Sequence, residues 1–259
     1  MRRLIRIGRR FESGVKGRPG LPMLAPTKLA AATLVLLTGL SPVKLRGAED
    51  GIALAIIYDT SGSMKESVPD ATGGFAPKYI IANRALREVT RQLQAATSNA
   101  TQRTARNIQA GLFTFQGDQA HEVVKLGPLD PAALENWAAH FSRPHGNTPL
   151  GNALSTAAHA VMKSPLSRKH VLVITDGINT AGPPPQTVLP QLKELAGKEG
   201  ATFSVHFVAF DVDARQFAAV KRLGATVVGA ADEKQLNSQL QFILQQKILL
   251  EDEEPPKTH

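Results

Sequence analysis

The chain alternates short apolar runs with longer stretches of helical spacing. Ile52 to Tyr58 is apolar at every position, as expected of a central strand covered on both faces by helices. After it, Ala82, Ala85, Leu86, Val89, Leu93 and Ala96 recur at helical spacing and predict a helix over 78–97. Residues 107–115 and 120–126 read as strands, joined by the short link Gln116-Gly117-Asp118-Gln119, which predicts an antiparallel hairpin. Asp130-Pro131 is a helix cap followed by proline in the first turn, opening a helix to about Phe141. Pro149 fits the first turn of another, to about Lys163. Lys169 to Thr175 is a second buried-type strand. Pro183-Pro184-Pro185 opens a helix running to about Gly200, and strand, helix, strand and helix then follow over 201–209, 213–223, 225–229 and 232–248. Strands alternating with helices predict an α/β, doubly wound sheet with right-handed crossovers. The 259 residues, 42% hydrophobic, can bury one sizeable core.

Charge divides the chain. Residues 1–48 hold ten Lys and Arg against one acid, a net of +9, while 49–259 hold twenty against twenty-one. The overall +8 therefore belongs to the leader, and the body gives no case for a nucleic-acid partner. Within the leader, an apolar run from Leu29 to Leu40 follows the basic region. That is the layout of a secretory signal, and twelve residues fall short of the roughly 20 needed to span a bilayer as a helix. Ala48 fits a cleavage site but Arg46 does not, so the alternative is an uncleaved membrane anchor. The expected location is periplasmic or extracellular, or the membrane through this segment alone. The chain divides as leader 1–48, body 51–248 and acidic tail 249–259, the tail read as disordered. Without cysteine, disulfides and thiolate sites are excluded.

The first strand ends in Asp59-Thr60-Ser61-Gly62-Ser63. A carboxylate and two hydroxyls at alternate positions sit past the carboxyl end of a strand, where open α/β sheets bind ligands. Further on, Gly146-Asn147-Thr148-Pro149-Leu150-Gly151 leads into a helix, with Thr148 also fitting an N-cap. The later strand ends in Asp176-Gly177.

These three pieces, in this order, resemble the von Willebrand factor type A domain family in its bacterial form. The family's metal-ion-dependent adhesion site (MIDAS) begins Asp-x-Ser-x-Ser and is completed by a loop Thr and a later Asp. The resemblance covers about 51–248. It implies a mostly parallel six-stranded sheet in the order 3-2-1-4-5-6, with the third strand (120–126) antiparallel at an edge. It also implies a metal set of Asp59, Ser61, Ser63, Thr148 and Asp176, with no catalytic residue. All are oxygen donors, which suit Mg²⁺, Mn²⁺ or Ca²⁺. In the family an Asp or Glu of a protein partner completes the metal shell. The implied function is an exported, metal-dependent adhesion domain flanked by loops 64–77 and 143–147. The alternatives are a domain whose metal is vestigial or structural, and an accessory subunit of an ATPase complex. His145 reads as an exposed turn residue, and the other histidines lack ligand spacing. An enzyme is not expected. No Gly-x-Ser-x-Gly elbow or Gly-rich phosphate loop is present, and Ser61 stands where a phosphatase would want a second Asp.

Overall fold

The computed structural model describes residues 48–98 and 106–250. The leader and nearly all of the acidic tail, with the signal or anchor expected there, lie outside the described residues. The elements are β1 (Glu49–Tyr58), a ribbon of β2 (Ser67–Pro69) and β3 (Phe75–Pro77), α1 (Lys78–Ser98), and the hairpin β4 (Ile108–Gln116) and β5 (Gln119–Pro128). There follow α2 (Pro131–His140), α3 (Leu150–Met162), β6 (Leu166–Thr175), α4 (Pro185–Lys198), β7 (Thr202–Phe210), α5 (Ala218–Arg222), β8 (Thr226–Ala230) and α6 (Glu233–Phe242). A π-helical stretch, Ile243–Leu249, continues α6.

The main sheet runs β5-β4-β1-β6-β7-β8. Counting only its own six strands, that is the expected 3-2-1-4-5-6. β1 pairs parallel with β4 and β6, β6 with β7 and β7 with β8, while β5 is antiparallel to β4 at the edge. Gly117, at φ +60°, supplies the left-handed residue in the two-residue hairpin turn.

β1 explains itself from its side chains. Ile52, Leu54, Ile56 and Tyr58 alternate with Ala53, Ala55 and Ile57, and the two sets belong to separate cores on opposite faces. The first set packs with Ile81, Leu86 and Leu93 of α1 and Leu236 and Leu240 of α6. The second packs with Ala153, Leu154, Ala157 and Val161 of α3, where small side chains on both elements allow a close approach. Tyr58 closes β1 under an aromatic cluster. Its ring meets Trp137 and Phe141 edge-on at 5.0 and 5.6 Å, and its hydroxyl lies 2.8 Å from Asn83 Oδ1. This cluster anchors α2 and the start of the 143–147 turn.

Several details depart from the sequence reading. The helix expected over 213–223 is a 3₁₀ turn, Ala214–Phe217, followed by the short α5. The stretch 64–77 is not a plain loop. It holds a short 3₁₀ turn (Gly62–Lys65) and the β2–β3 ribbon, pinned by the buried pair Val68 and Ala76. Nor is Thr148 a helix cap. Pro149 holds that position without any side-chain cap bond. The reason is a two-way clamp: Thr148 N–H donates to Thr180 Oγ1 at 2.8 Å, and Thr180 N–H to Thr148 O at 3.0 Å. Residue 148 is thereby held to the 177–182 loop, outside the helix.

Candidate functional site

β1 and β6 are neighbours where the winding of the sheet reverses, so the loops leaving their carboxyl ends diverge and open a crevice between them. Asp59 and Asp176 both stand there, one residue past each strand. Asp59 is fully buried and Asp176 nearly so. Asp59 Oδ1 accepts from Ser61 N–H at 2.8 Å, and Oδ2 accepts from the Thr175 hydroxyl at 2.5 Å. Ser61 Oγ lies 3.1 Å from Ser63 Oγ, which donates to Asp176 Oδ1 at 2.9 Å. A single polar run therefore links Asp59, Ser61, Ser63 and Asp176. Thr148 is buried beside it, its Oγ1 about 3.5 Å from where a Cβ on Gly177 would stand. The structure thus brings all five candidate residues to one end of the sheet.

The loops are held to one another by backbone. His145 N–H donates to Thr60 O at 2.8 Å and Gly62 N–H to Gly146 O at 3.2 Å. The Thr60 hydroxyl bridges both backbone groups of Phe115 on β4. His145 contributes its backbone, while its exposed ring turns back to Arg143 O at 2.9 Å.

Burial raises the Asp59 carboxyl to about 6, with the Asp176 charge adding to it and the bonds from Ser61 and Thr175 opposing. Burial likewise raises Asp176, but the Lys78 ammonium beside it pulls the other way. Two buried carboxylates facing one crevice call for positive charge. Part of it is already present in Lys78, a residue the sequence reading did not single out. Its Nζ lies 3.0 Å from Asp176 Oδ2, 2.8 Å from Glu66 Oε2 and 3.0 Å from Asp211 Oδ2. Burial alone would lower the ammonium, yet these carboxylates raise it above the usual lysine range. A basic residue at the start of α1 was the only sequence signal, and it is a weak one.

Among the described residues no group of three or more His, Cys, Asp or Glu side chains is placed to hold a metal ion. The donor set is instead two carboxylates and three hydroxyls, a composition that fits a hard divalent cation and gives no soft ligand for copper. A cavity of about 800 Å³ opens elsewhere, between β5 and α2, and contains none of the five.

Residues 54–179 match the family model of the von Willebrand factor type A domain, a segment that includes all five site residues. Over that segment the chain is similar to a von Willebrand factor type A domain. Solved structures agree on the fold. The PilB minor pilin from Streptococcus sanguinis superposes with a TM-score of 0.58 at 17% identity, over 76% of this chain and 61% of that one. The von Willebrand domain of the type V pili tip protein Mfa5 from Porphyromonas gingivalis gives 0.56 at 11%, over 76% and 94%. Proximal thread matrix protein 1 from the mussel byssus, with zinc occupying its MIDAS motif, gives 0.52 at 16%, over 76% and 48%. The chain therefore spans less than two thirds of the PilB pilin's length. No curated protein sequence matches it significantly.

Proposed function

We propose that this chain is an exported protein-binding module of the von Willebrand factor type A kind. In this reading it engages an Asp or Glu of its partner through a divalent cation held by Asp59, Ser61, Ser63, Thr148 and Asp176. The observation that carries the proposal is the polar run from Asp59 through Ser61 and Ser63 to Asp176 at the switch point of the sheet. A cation held there would supply a Lewis-acidic position open to an anionic oxygen. Mg²⁺ is the expected ion, with Mn²⁺ or Ca²⁺ as substitutes. The zinc in the mussel protein's MIDAS supports divalent binding at such sites in general.

The chain's own residues then do the rest. Asp59 and Asp176 bring negative charge, and the hydroxyls of Ser61, Ser63 and Thr148 bring neutral oxygens that add none. The surrounding surface fits a macromolecular partner. Phe75 on β3 is 74% exposed and Ile178, two residues past Asp176, is 48% exposed. Exposed apolar side chains of this kind are the makings of a binding hot spot. The ribbon turn before Phe75 is fixed by Asp70, whose Oδ1 accepts from Thr72 N–H, Thr72 Oγ1 and Gly74 N–H. Pilus proteins and a thread matrix protein of the mussel byssus among the structural neighbours support an exported, non-enzymatic role.

The test is a pull-down from the extracytoplasmic fraction with and without EDTA. Partner capture should be lost in EDTA and restored by Mg²⁺ or Mn²⁺. Changing one partner acid to its amide should abolish capture, because the amide keeps shape and removes charge. Removing one member of such a charge pair typically costs about 2–5 kcal/mol. Capture that stays EDTA-sensitive but survives every acid-to-amide change would make the metal structural.

A further inference from the structure

Lys78 stands outside the five-oxygen set, yet its side chain is buried, at 2% exposure. Lysine is almost never buried unless paired. Here three carboxylates from three segments converge on it: Glu66 after the 3₁₀ turn, Asp176 after β6 and Asp211 after β7. Asp211 reaches it from a left-handed backbone, φ 55°, a conformation that Asp tolerates better than most residues. None of the ammonium's ion pairs or hydrogen bonds involves Asp59, Ser61, Ser63 or Thr148. It therefore does not stand in for a cation among those oxygens. It sits behind Asp176, which is shared: Oδ1 takes the Ser63 hydroxyl and Oδ2 takes Lys78.

The three acids are not equal. The Asp176 side chain is 0% exposed, whereas those of Glu66 and Asp211 are 68% and 40% exposed. Water screens the outer two, so the ammonium bears mainly on Asp176. Asp59 and Asp176 with Lys78 leave one negative charge at the buried centre. A divalent ion would turn that into one positive charge, and a partner carboxylate would bring it to neutrality.

We propose that Lys78 is a built-in counter-ion that sets the cation affinity of the site. It weakens the hold on the divalent ion and strengthens the loaded site's demand for an anionic oxygen. This rests on the metal reading above.

The experiment titrates the full chain with Mn²⁺ alone by calorimetry, then titrates acetate into the Mn²⁺-loaded protein, read by water-proton relaxation. Lys78→Met removes the charge. Lys78→Gln removes it but can still donate to Asp176, and Lys78→Arg keeps it. A unit charge within about 4–6 Å shifts such equilibria by about one to three powers of ten. Both neutral variants should therefore bind Mn²⁺ about tenfold tighter or more and acetate more weakly, while Lys78→Arg stays within about threefold of wild type. If Lys78→Met does not fold, Lys78→Gln decides. Unchanged or weaker Mn²⁺ binding in the neutral variants would overturn the proposal, as would failure of all three to fold, since either makes Lys78 a structural residue. A wild type that takes up no Mn²⁺ would remove the metal reading and this proposal together, an outcome distinct from a wild type that binds but ignores the charge at residue 78.

Discussion

Both oxygens of Asp59 are held by fixed donors, one from Ser61 N–H and one from the Thr175 hydroxyl. The carboxylate is therefore pre-positioned, at the expense of complete burial. Asp59→Ala should abolish divalent binding in calorimetry, and Thr148→Ala or Asp176→Ala should reduce it. Wild-type affinity at a single site in Asp59→Ala would end the assignment. Thr175→Val offers a separate check, because it leaves Asp59 Oδ2 without its donor. A buried acceptor so deprived should lower stability by about 1–3 kcal/mol in urea unfolding. The difference between these residues is instructive. Asp59, Ser61 and Ser63 are legible because they share one tight loop behind an apolar strand. Thr175 and Lys78 act on partners 116 and 98 positions away, a relation that no local pattern carries.

At the scale of elements, the approach of α3 to the 177–184 loop decides where Thr148 and Asp176 meet. Gly151 makes that approach possible: a Cβ there would stand 1.9 Å from Pro183 O. Gly151→Ala must force the loop away from the helix, and overpacking of this kind typically costs about 1–3 kcal/mol. Divalent affinity should fall along with stability, although no proposed ligand is touched. Unfolding and Mn²⁺ titration of this variant check both, and full metal affinity would show that the clamp between Thr148 and Thr180 suffices alone. The strands were legible because β1, β6 and β7 are buried along most of their length and so carry continuous apolar runs. The β2–β3 ribbon was not. Three-residue strands hold no period, and its one buried pair, Val68 and Ala76, is lost among polar neighbours. The shift from α6 into a π-helical stretch was equally silent, since Ile243, Leu244 and Ile248 keep an apolar face in either form.

At the scale of the whole molecule, two further features carry predictions of their own. The leader's net +9 stands against a body of net −1. Intact mass of the extracytoplasmic protein should show most of 1–48 removed, and retention of Met1 to Leu40 would assign an anchor instead. The second feature is a buried imidazole pair on neighbouring strands, His170 on β6 and His206 on β7, ring centroids 5.6 Å apart and nearly parallel. Their spacing in sequence gave no sign of it. Burial, then the His206 ring and Arg168, push His170 down to about 3. Burial and Lys247 push His206 down to about 4. Both are therefore neutral in the fold, while the unfolded chain takes up protons near 6.5. Their stabilising contribution is full above that value and is lost as the pH falls from about 6.5 toward 4 and 3. Between pH 7 and 5 the pair should withdraw on the order of 3–4 kcal/mol. Asp59 works the other way, since its raised carboxyl takes up a proton on folding and favours the fold as the pH drops below about 6. The two are separated by comparing variants in EDTA. Urea unfolding of His206→Leu at pH 7 and pH 5 should lose about 2 kcal/mol less on acidification than wild type. An identical pH dependence in the two proteins would mean that the imidazoles already share a proton in the fold, and the neutral pair would have to be abandoned.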